Sequence, residues 1–147
     1  MLPKLEQINL IEILGGKRTL GVKVRREDDL IRQIHRGLPY GTLECVMERM
    51  EMKMPFVIAL LGVTARTLQR RQCEKVLTKE ESDRVVRLAK LYERSVNVLG
   101  DPDEARAWLH HANITLGNKT PLELMDTVIG EGRVHALLGR IEHGVYS

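Results

Sequence analysis

Along most of this chain apolar side chains recur three and four residues apart, the spacing that puts them on one face of an α-helix. Arg26 to His35 sets Leu30, Ile31 and Ile34 on such a face, and Gly37-Leu38-Pro39 ends it. Thr42 to Met52 does the same with Leu43, Val46, Met47 and Met50. Pro55 can open a helix over Phe56 to Leu61, because a first turn has no use for the N–H that proline lacks. That segment is apolar nearly all round, which predicts burial on more than one side. Thr78-Lys79-Glu80-Glu81 is a capping box, opening the longest predicted helix, to about Leu99, with Val85, Leu88, Leu91, Tyr92, Val96 and Leu99 inward. Asp101-Pro102-Asp103-Glu104 and Thr120-Pro121-Leu122-Glu123 repeat the start signal. The first leads into a helix carrying Ala105, Trp108 and Leu109, the second into a short one with Leu122, Leu124 and Met125. Gly130 punctuates, and a last helix is expected from Gly132 or Arg133, with Val134, Leu137, Leu138 and Ile141 inward. Only near the start does the period change. Leu20, Val22 and Val24 alternate with Gly21 and Lys23 as a short strand would, so residues 1–24 read as a loosely attached, partly extended arm. The expected fold is all-α. Its parts are the arm 1–24, a front domain 25–77 and a helical rear domain 78–147, with the seam near residues 74–78 or, if the long helix belongs to the front half, near Gly100.

The stretch Leu60-Leu61-Gly62-Val63-Thr64-Ala65-Arg66-Thr67-Leu68-Gln69-Arg70-Arg71 joins two of these helices in a particular way. Gly62 can take the left-handed conformation that closes a helix. Thr64 is a good N-cap for the next one, and Val63 and Leu68 can pin it against the first. That is the grammar of a helix-turn-helix, whose second helix shows polar side chains to the DNA major groove. An ordinary helical hairpin with a basic, solvated face is the competing reading. On the first reading Thr64 caps the reading helix, Arg66, Thr67, Gln69 and Arg70 face the groove, and Arg71 and Lys75 contact phosphates. Arg binds guanine O6 and N7 bidentately, and Gln does the same for adenine N6 and N7. Such units act as dimers on paired half-sites.

Composition narrows the class. Apolar residues make up 43% of the 147 but aromatics only 3%, so the core is built of Leu, Val, Ile and Met. No apolar run is long enough to cross a membrane, and no charged-then-apolar leader opens the chain. Cys45 and Cys73 stand apart from any ligand partner and read as reduced thiols of a cytoplasmic protein. The net charge of +3 is unevenly spread: residues 101–147 carry four basic and seven acidic side chains, a net −3, leaving +6 in front. A basic front suits phosphate, and Lys17, Arg18, Lys23, Arg25 and Arg26 are either further backbone contacts or a solvated arm. Catalytic constellations are thin. His110 and His111 are adjacent and point to different sides of a helix, and His135 lies too far from Glu142-His143 to share an ion. No metal, cofactor or enzyme activity is expected. The chain ends in Val145-Tyr146-Ser147 after Gly144. Tyr146 either folds back on the core or, with the terminal carboxylate, enters a partner's pocket.

Several spaced motifs in the rear half carry a resemblance. Glu81-Ser82-Asp83-Arg84-Val85, Trp108-Leu109, Leu116-Gly117-Asn118-Lys119-Thr120-Pro121-Leu122-Glu123-Leu124-Met125-Asp126-Thr127, Gly130, Val134, Leu138-Gly139-Arg140-Ile141 and His143-Gly144-Val145-Tyr146 resemble the Xre/MbcA/ParS toxin-binding antitoxins. With the Leu60–Arg71 stretch the resemblance spans roughly residues 10 to 147. It implies an Xre/Cro-like helix-turn-helix domain that dimerises and binds operator DNA, followed by a toxin-binding domain. It further implies a type II antitoxin whose partner is a RES-domain toxin, similar to ADP-ribosyltransferases, that depletes NAD. The antitoxin's C-terminal region would occlude the NAD pocket. Carried onto this chain, the toxin-binding residues would be Arg133, Arg140, Glu142, His143, Gly144, Val145, Tyr146 and Ser147. Ile58 stands where such a helix pair usually keeps a small residue, four before the turn glycine. A stand-alone helix-turn-helix repressor with a dimerising or ligand-sensing rear domain is the alternative.

Overall fold

The computed structural model describes residues 9–144, and the chain divides into two compact units, one over Asn9–Lys90 and one from Leu91 onward. Among the described residues the regular structure is helical, with two isolated bridges, Pro39 to Val76 and Asn113 to Lys119.

The first unit begins with two short helices, α1 (Leu10–Ile13) and α2 (Gly16–Leu20). Asn9 caps α1, accepting from the Ile11 amide at 2.9 Å. Ile13 and Leu14 are fully buried, and Leu20 nearly so. This corrects the expectation of a loosely attached, partly extended arm for residues 10–20, which are helical and packed down. Ile13 and Leu14 have enough apolar surface to be drawn into the core, and Gly15-Gly16 turns the chain between helices instead of releasing it. No strand forms over Leu20–Val24; the alternation there was too short to outweigh burial of Leu20. Residues 1–8 of the expected arm lie outside the described residues.

Then come α3 (Glu27–Arg36), α4 (Tyr40–Met50), α5 (Met54–Leu61), α6 (Ala65–Glu74) and the first part of α7 (Lys79–Leu99). Asp29 accepts from the Arg25 and Arg26 amides at the start of α3, which holds its carboxyl below the usual range. Leu30, Leu38, Leu43, Val46, Met50, Val57, Leu61, Leu68, Leu77, Val85 and Leu88 form the core. Ile31 is exposed, not inward as its spacing predicts. The α3–α4 linker is strapped to the α6–α7 linker: Tyr40 donates its amide to the Lys75 carbonyl at 3.0 Å, and Leu77 to that of Leu38 at 2.8 Å. The predicted capping box opens α7. Glu81 donates its amide to Thr78 Oγ1 at 3.2 Å, and the Thr78 amide donates to Glu81 Oε1 at 3.0 Å. Ser82 ties the same turn to the strap, accepting the Leu38 amide at 2.8 Å.

One buried group in α4 is unsatisfied. Thr42 is wholly buried and its hydroxyl has no hydrogen-bond partner among the described residues. Desolvating a hydroxyl without a partner costs about 1–3 kcal/mol. Thr42→Val keeps the shape and removes the penalty. It should stabilise the chain by about 1 kcal/mol, visible as a melting temperature several degrees higher; a lower one would show that the hydroxyl is engaged.

The second unit holds the remainder of α7, α8 (Pro102–His110), two 3₁₀ turns at Ile114–Leu116 and Leu122–Asp126, and α9 (Val128–Glu142). Side-chain caps open every one of its starts: Asp101 accepts from Glu104, Asn113 from Thr115, Thr120 from Glu123 and Thr127 from Gly130, at 2.9–3.1 Å. Leu91, Tyr92, Val96, Ala105, Leu109, Leu116, Leu122, Met125, Val134, Leu137 and Leu138 are its core. The last helix starts at Val128, earlier than Gly132, because Thr127 is an N-cap and Gly130 sits inside the first turn. A Cβ on Gly130 would lie 2.1 Å from the Leu124 carbonyl oxygen, so glycine is required there by close approach and not as punctuation.

Candidate nucleic-acid and partner interfaces

In the first unit the helix-turn-helix turn is built as its residues dictate. Gly62 closes α5 in the left-handed conformation, φ 67, and donates to the Ile58 carbonyl. Thr64 caps α6, accepting the Thr67 amide at 3.1 Å, and donates its own hydroxyl to Thr67 Oγ1 at 3.0 Å. Both hydroxyls are thus engaged within the first turn. Leu68 is 2% exposed and pins the helix from below. Ile58 is half-buried, and Val57 and Leu61 take the fully buried places beside it.

Arg66, Gln69 and Arg70 stand exposed on the outer side of α6. Arg70 reaches Glu74 at 3.7 Å, an exposed pair that holds the guanidinium only weakly. Arg71 is different. Its side chain is 14% exposed, and Nε donates to Glu81 Oε1 at 2.8 Å. Burial pushes the Glu81 carboxyl up, but the Arg71 guanidinium and the Thr78 amide more than offset this and hold it below the usual range. The structure therefore places Arg71 inward, clamping α6 to α7, away from the role of a free phosphate contact. Nothing in the order of residues pairs it with Glu81; the capping box predicted where Glu81 would sit, but not that α6 would bring Arg71 to it. Lys75 is exposed and ends α6 with φ 64. Arg84 was also missed: its guanidinium donates to the Leu61 carbonyl and lies over Gly62, covering the turn.

In the second unit the sequence-derived partner residues fall along the end of α9. Arg133 is exposed, and Arg140 is half-buried and engaged. Glu142, His143 and Gly144 are exposed, with His143 Nε2 3.7 Å from Glu142 Oε1. Val145, Tyr146 and Ser147 lie outside the described residues, so neither reading of Tyr146 is decided by position. Inward of that end, Arg94 reaches His135 Nδ1 at 3.0 Å. A guanidinium only donates, so Nδ1 accepts and the ring proton sits on Nε2. Burial, then the Arg94 charge, pushes the His135 pKa down and keeps the ring neutral.

A shallow hollow of about 330 Å³ beside the start of α7 is lined by Ile34, Lys79, Glu80, Asp83, Arg84 and Arg87, with charges of both signs and no hydroxyl, thiol or imidazole nucleophile. Among the described residues no three His, Cys, Asp or Glu side chains gather as a metal site, and no helix is long and apolar enough to cross a membrane.

Known proteins share both parts in the same order. Residues 29–90 match the antitoxin Xre-like helix-turn-helix domain, and residues 95–144 match the antitoxin Xre/MbcA/ParS C-terminal toxin-binding domain. The chain is 30% identical over 132 residues to Antitoxin Xre of Photorhabdus laumondii, covering 88% of this chain and 89% of that one. It is 28% identical, with the same coverage, to Antitoxin Xre of Yersinia enterocolitica. A Sphingobium protein named Prs ADP-ribosylating antitoxin is 26% identical over 129 residues, 81% of each. The fold is that of a chain in the crystal structure of the M. tuberculosis MbcT–MbcA toxin–antitoxin complex, with a TM-score of 0.50 at 18% identity over 84% of this chain and 100% of that one. With a helix-turn-helix unit in front and a toxin-binding unit behind, the chain belongs to the Xre/MbcA/ParS family of toxin-binding antitoxins.

Proposed function

We propose that this antitoxin neutralises a RES-domain toxin that consumes NAD, by seating the C-terminal end of α9 and the tail beyond it in the toxin's NAD pocket. The observation that carries the reading is the tandem match, with a toxin-binding domain that includes all of α9. The Sphingobium relative, named for ADP-ribosylation, supports a partner whose substrate is NAD. Exposure of Glu142, His143 and Gly144 leaves that end of the helix open to a partner. The protein acts by binding, not by catalysis.

The front unit would bind operator DNA through Arg66, Gln69 and Arg70 and repress its own promoter as a homodimer. A dimer suits the surface of α5. Met54, Pro55 and Ala59 are exposed and Ile58 is half-exposed, one apolar face with no charge on it. A two-fold seam packs the same patch of both copies together, and close to the axis like charges would face each other and repel. The stand-alone repressor keeps this half and drops the toxin.

Co-expression decides between them. Cells making a RES-domain toxin should keep their NAD when the full chain is present. They should lose it when residues 145–147 are deleted from an otherwise folded antitoxin. Full protection by the truncated chain would remove the tail from the mechanism; no protection by the intact chain would leave the repressor.

A further inference from the structure

In the second unit three large apolar side chains stand in solvent: Ile114, Val128 and Ile129 are 87%, 75% and 81% exposed. Val128 and Ile129 are the first two residues of α9. Those positions favour polar or acidic residues, because the first-turn amides are unpaired and carry partial positive charge. Both residues are β-branched, which helices tolerate less well than straight chains. Neither helix formation nor core packing accounts for an apolar pair here.

The turn that shows them is rigidly built. Thr127 Oγ1 accepts the Gly130 amide at 3.0 Å, and the Thr127 carbonyl accepts the Glu131 amide at 2.9 Å. Gly130 lies against the Leu124 carbonyl too closely for any side chain. Leu122 and Met125, one turn earlier, are buried and anchor the support. The pair is therefore held outward from a fixed base, with the exposed carboxylates of Glu123 and Asp126 beside it in the chain.

We infer that Val128 and Ile129 are a second anchor for the toxin, filling an apolar hollow rimmed by basic side chains, at the opposite end of α9 from His143. This rests on the antitoxin reading. The occupant follows from where the pair lies: inside the segment 95–144 matched to the toxin-binding domain, whereas Val145–Ser147 fall beyond it. The acidic flank calls for a basic rim. A 15-residue helix is about 22 Å long, so contacts at both ends spread the interface toward the area of a stable complex, further than one helix end and a three-residue tail reach.

Full-length Val128→Asp/Ile129→Asp protein tests this against a purified RES-domain toxin inactivated at its active site, with affinity read by calorimetry. Losing two buried aliphatic side chains should weaken binding roughly a hundredfold. The melting temperature should hold or rise, since Asp suits a first helical turn. Binding within twofold of the unsubstituted chain overturns the anchor. Loss of self-association on gel filtration, with toxin binding kept, overturns it too and gives the face to a second copy. If the unsubstituted chain itself fails to bind while its DNA binding persists, the antitoxin reading falls, and the anchor with it.

Discussion

Replacing Arg66 and Arg70 together by alanine should cut affinity for a duplex taken from upstream of the protein's own coding sequence by roughly a hundredfold or more. Each arginine that reads a base edge contributes about 1–3 kcal/mol. Both side chains are exposed, and the one ion pair at Arg70 is a solvated one at 3.7 Å, so neither substitution disturbs the core. Gel shifts at two salt concentrations separate the roles. Arginines on base edges lower affinity for the specific duplex most, whereas arginines on phosphates lower it for all sequences and flatten the salt dependence. Unchanged affinity in a folded variant would remove α6 as the reading helix. Gln69→Ala tests the adenine contact in the same way, with a smaller expected loss.

Arg71→Ala should behave differently from its neighbours, and the contrast shows what the residues disclose unaided. Local signals are strong in this chain. Gly62, Thr64, the Thr78–Glu81 box and Asp101 each fix a helix end within a few residues, because a cap is satisfied by groups three positions away. Those ends place α5, α6, α7 and α8. What local reasoning misses depends on distant partners. Arg71 reads as a phosphate contact beside the groove-facing arginines, and only the approach of α7 turns it to Glu81. Gly130 read as punctuation because its neighbour, the Leu124 carbonyl, comes from a turn whose fold no spacing predicts. Ile13 and Leu14 read as part of a loose arm because burial comes from elements further along. The residues place the start of the last helix at Gly132 or Arg133, four or five positions after Val128, because two apolar residues follow the Thr127 cap and apolar residues in a first turn are unusual.

The largest stability effect should come from Glu81→Ala. Glu81 joins three things at once: the first turn of α7 through the Thr78 amide, α6 through Arg71, and, through the adjacent Ser82, the α3–α4 linker. Removing the carboxylate leaves a guanidinium that is only 14% exposed with its best partner gone, and an amide unpaired. Breaking a buried pair on one side costs about 3–5 kcal/mol, and the partial access of water to Arg71 brings the expectation to about 2–4 kcal/mol. For a unit of this size that lowers its melting temperature by roughly 10–20 °C. The double variant Arg71→Ala/Glu81→Ala should lose less than the two single losses together, because no charge is stranded. The pH dependence has a definite sign. The carboxyl is held below its ordinary value of 4.5, so its contribution is present above that pH and is lost as pH falls through 4.5 and the lower folded-state value. Thermal melts of the unsubstituted chain should therefore drop toward those of Glu81→Gln below about pH 4 and diverge from them at neutral pH. Equal melts at neutral pH would mean that the pair contributes no net stability. Because Arg71 lies on the same helix as Arg66 and Arg70, Glu81→Ala should also weaken DNA binding at temperatures where the unit remains folded. That loss would come from a looser hold on α6, and Arg71→Ala should share it.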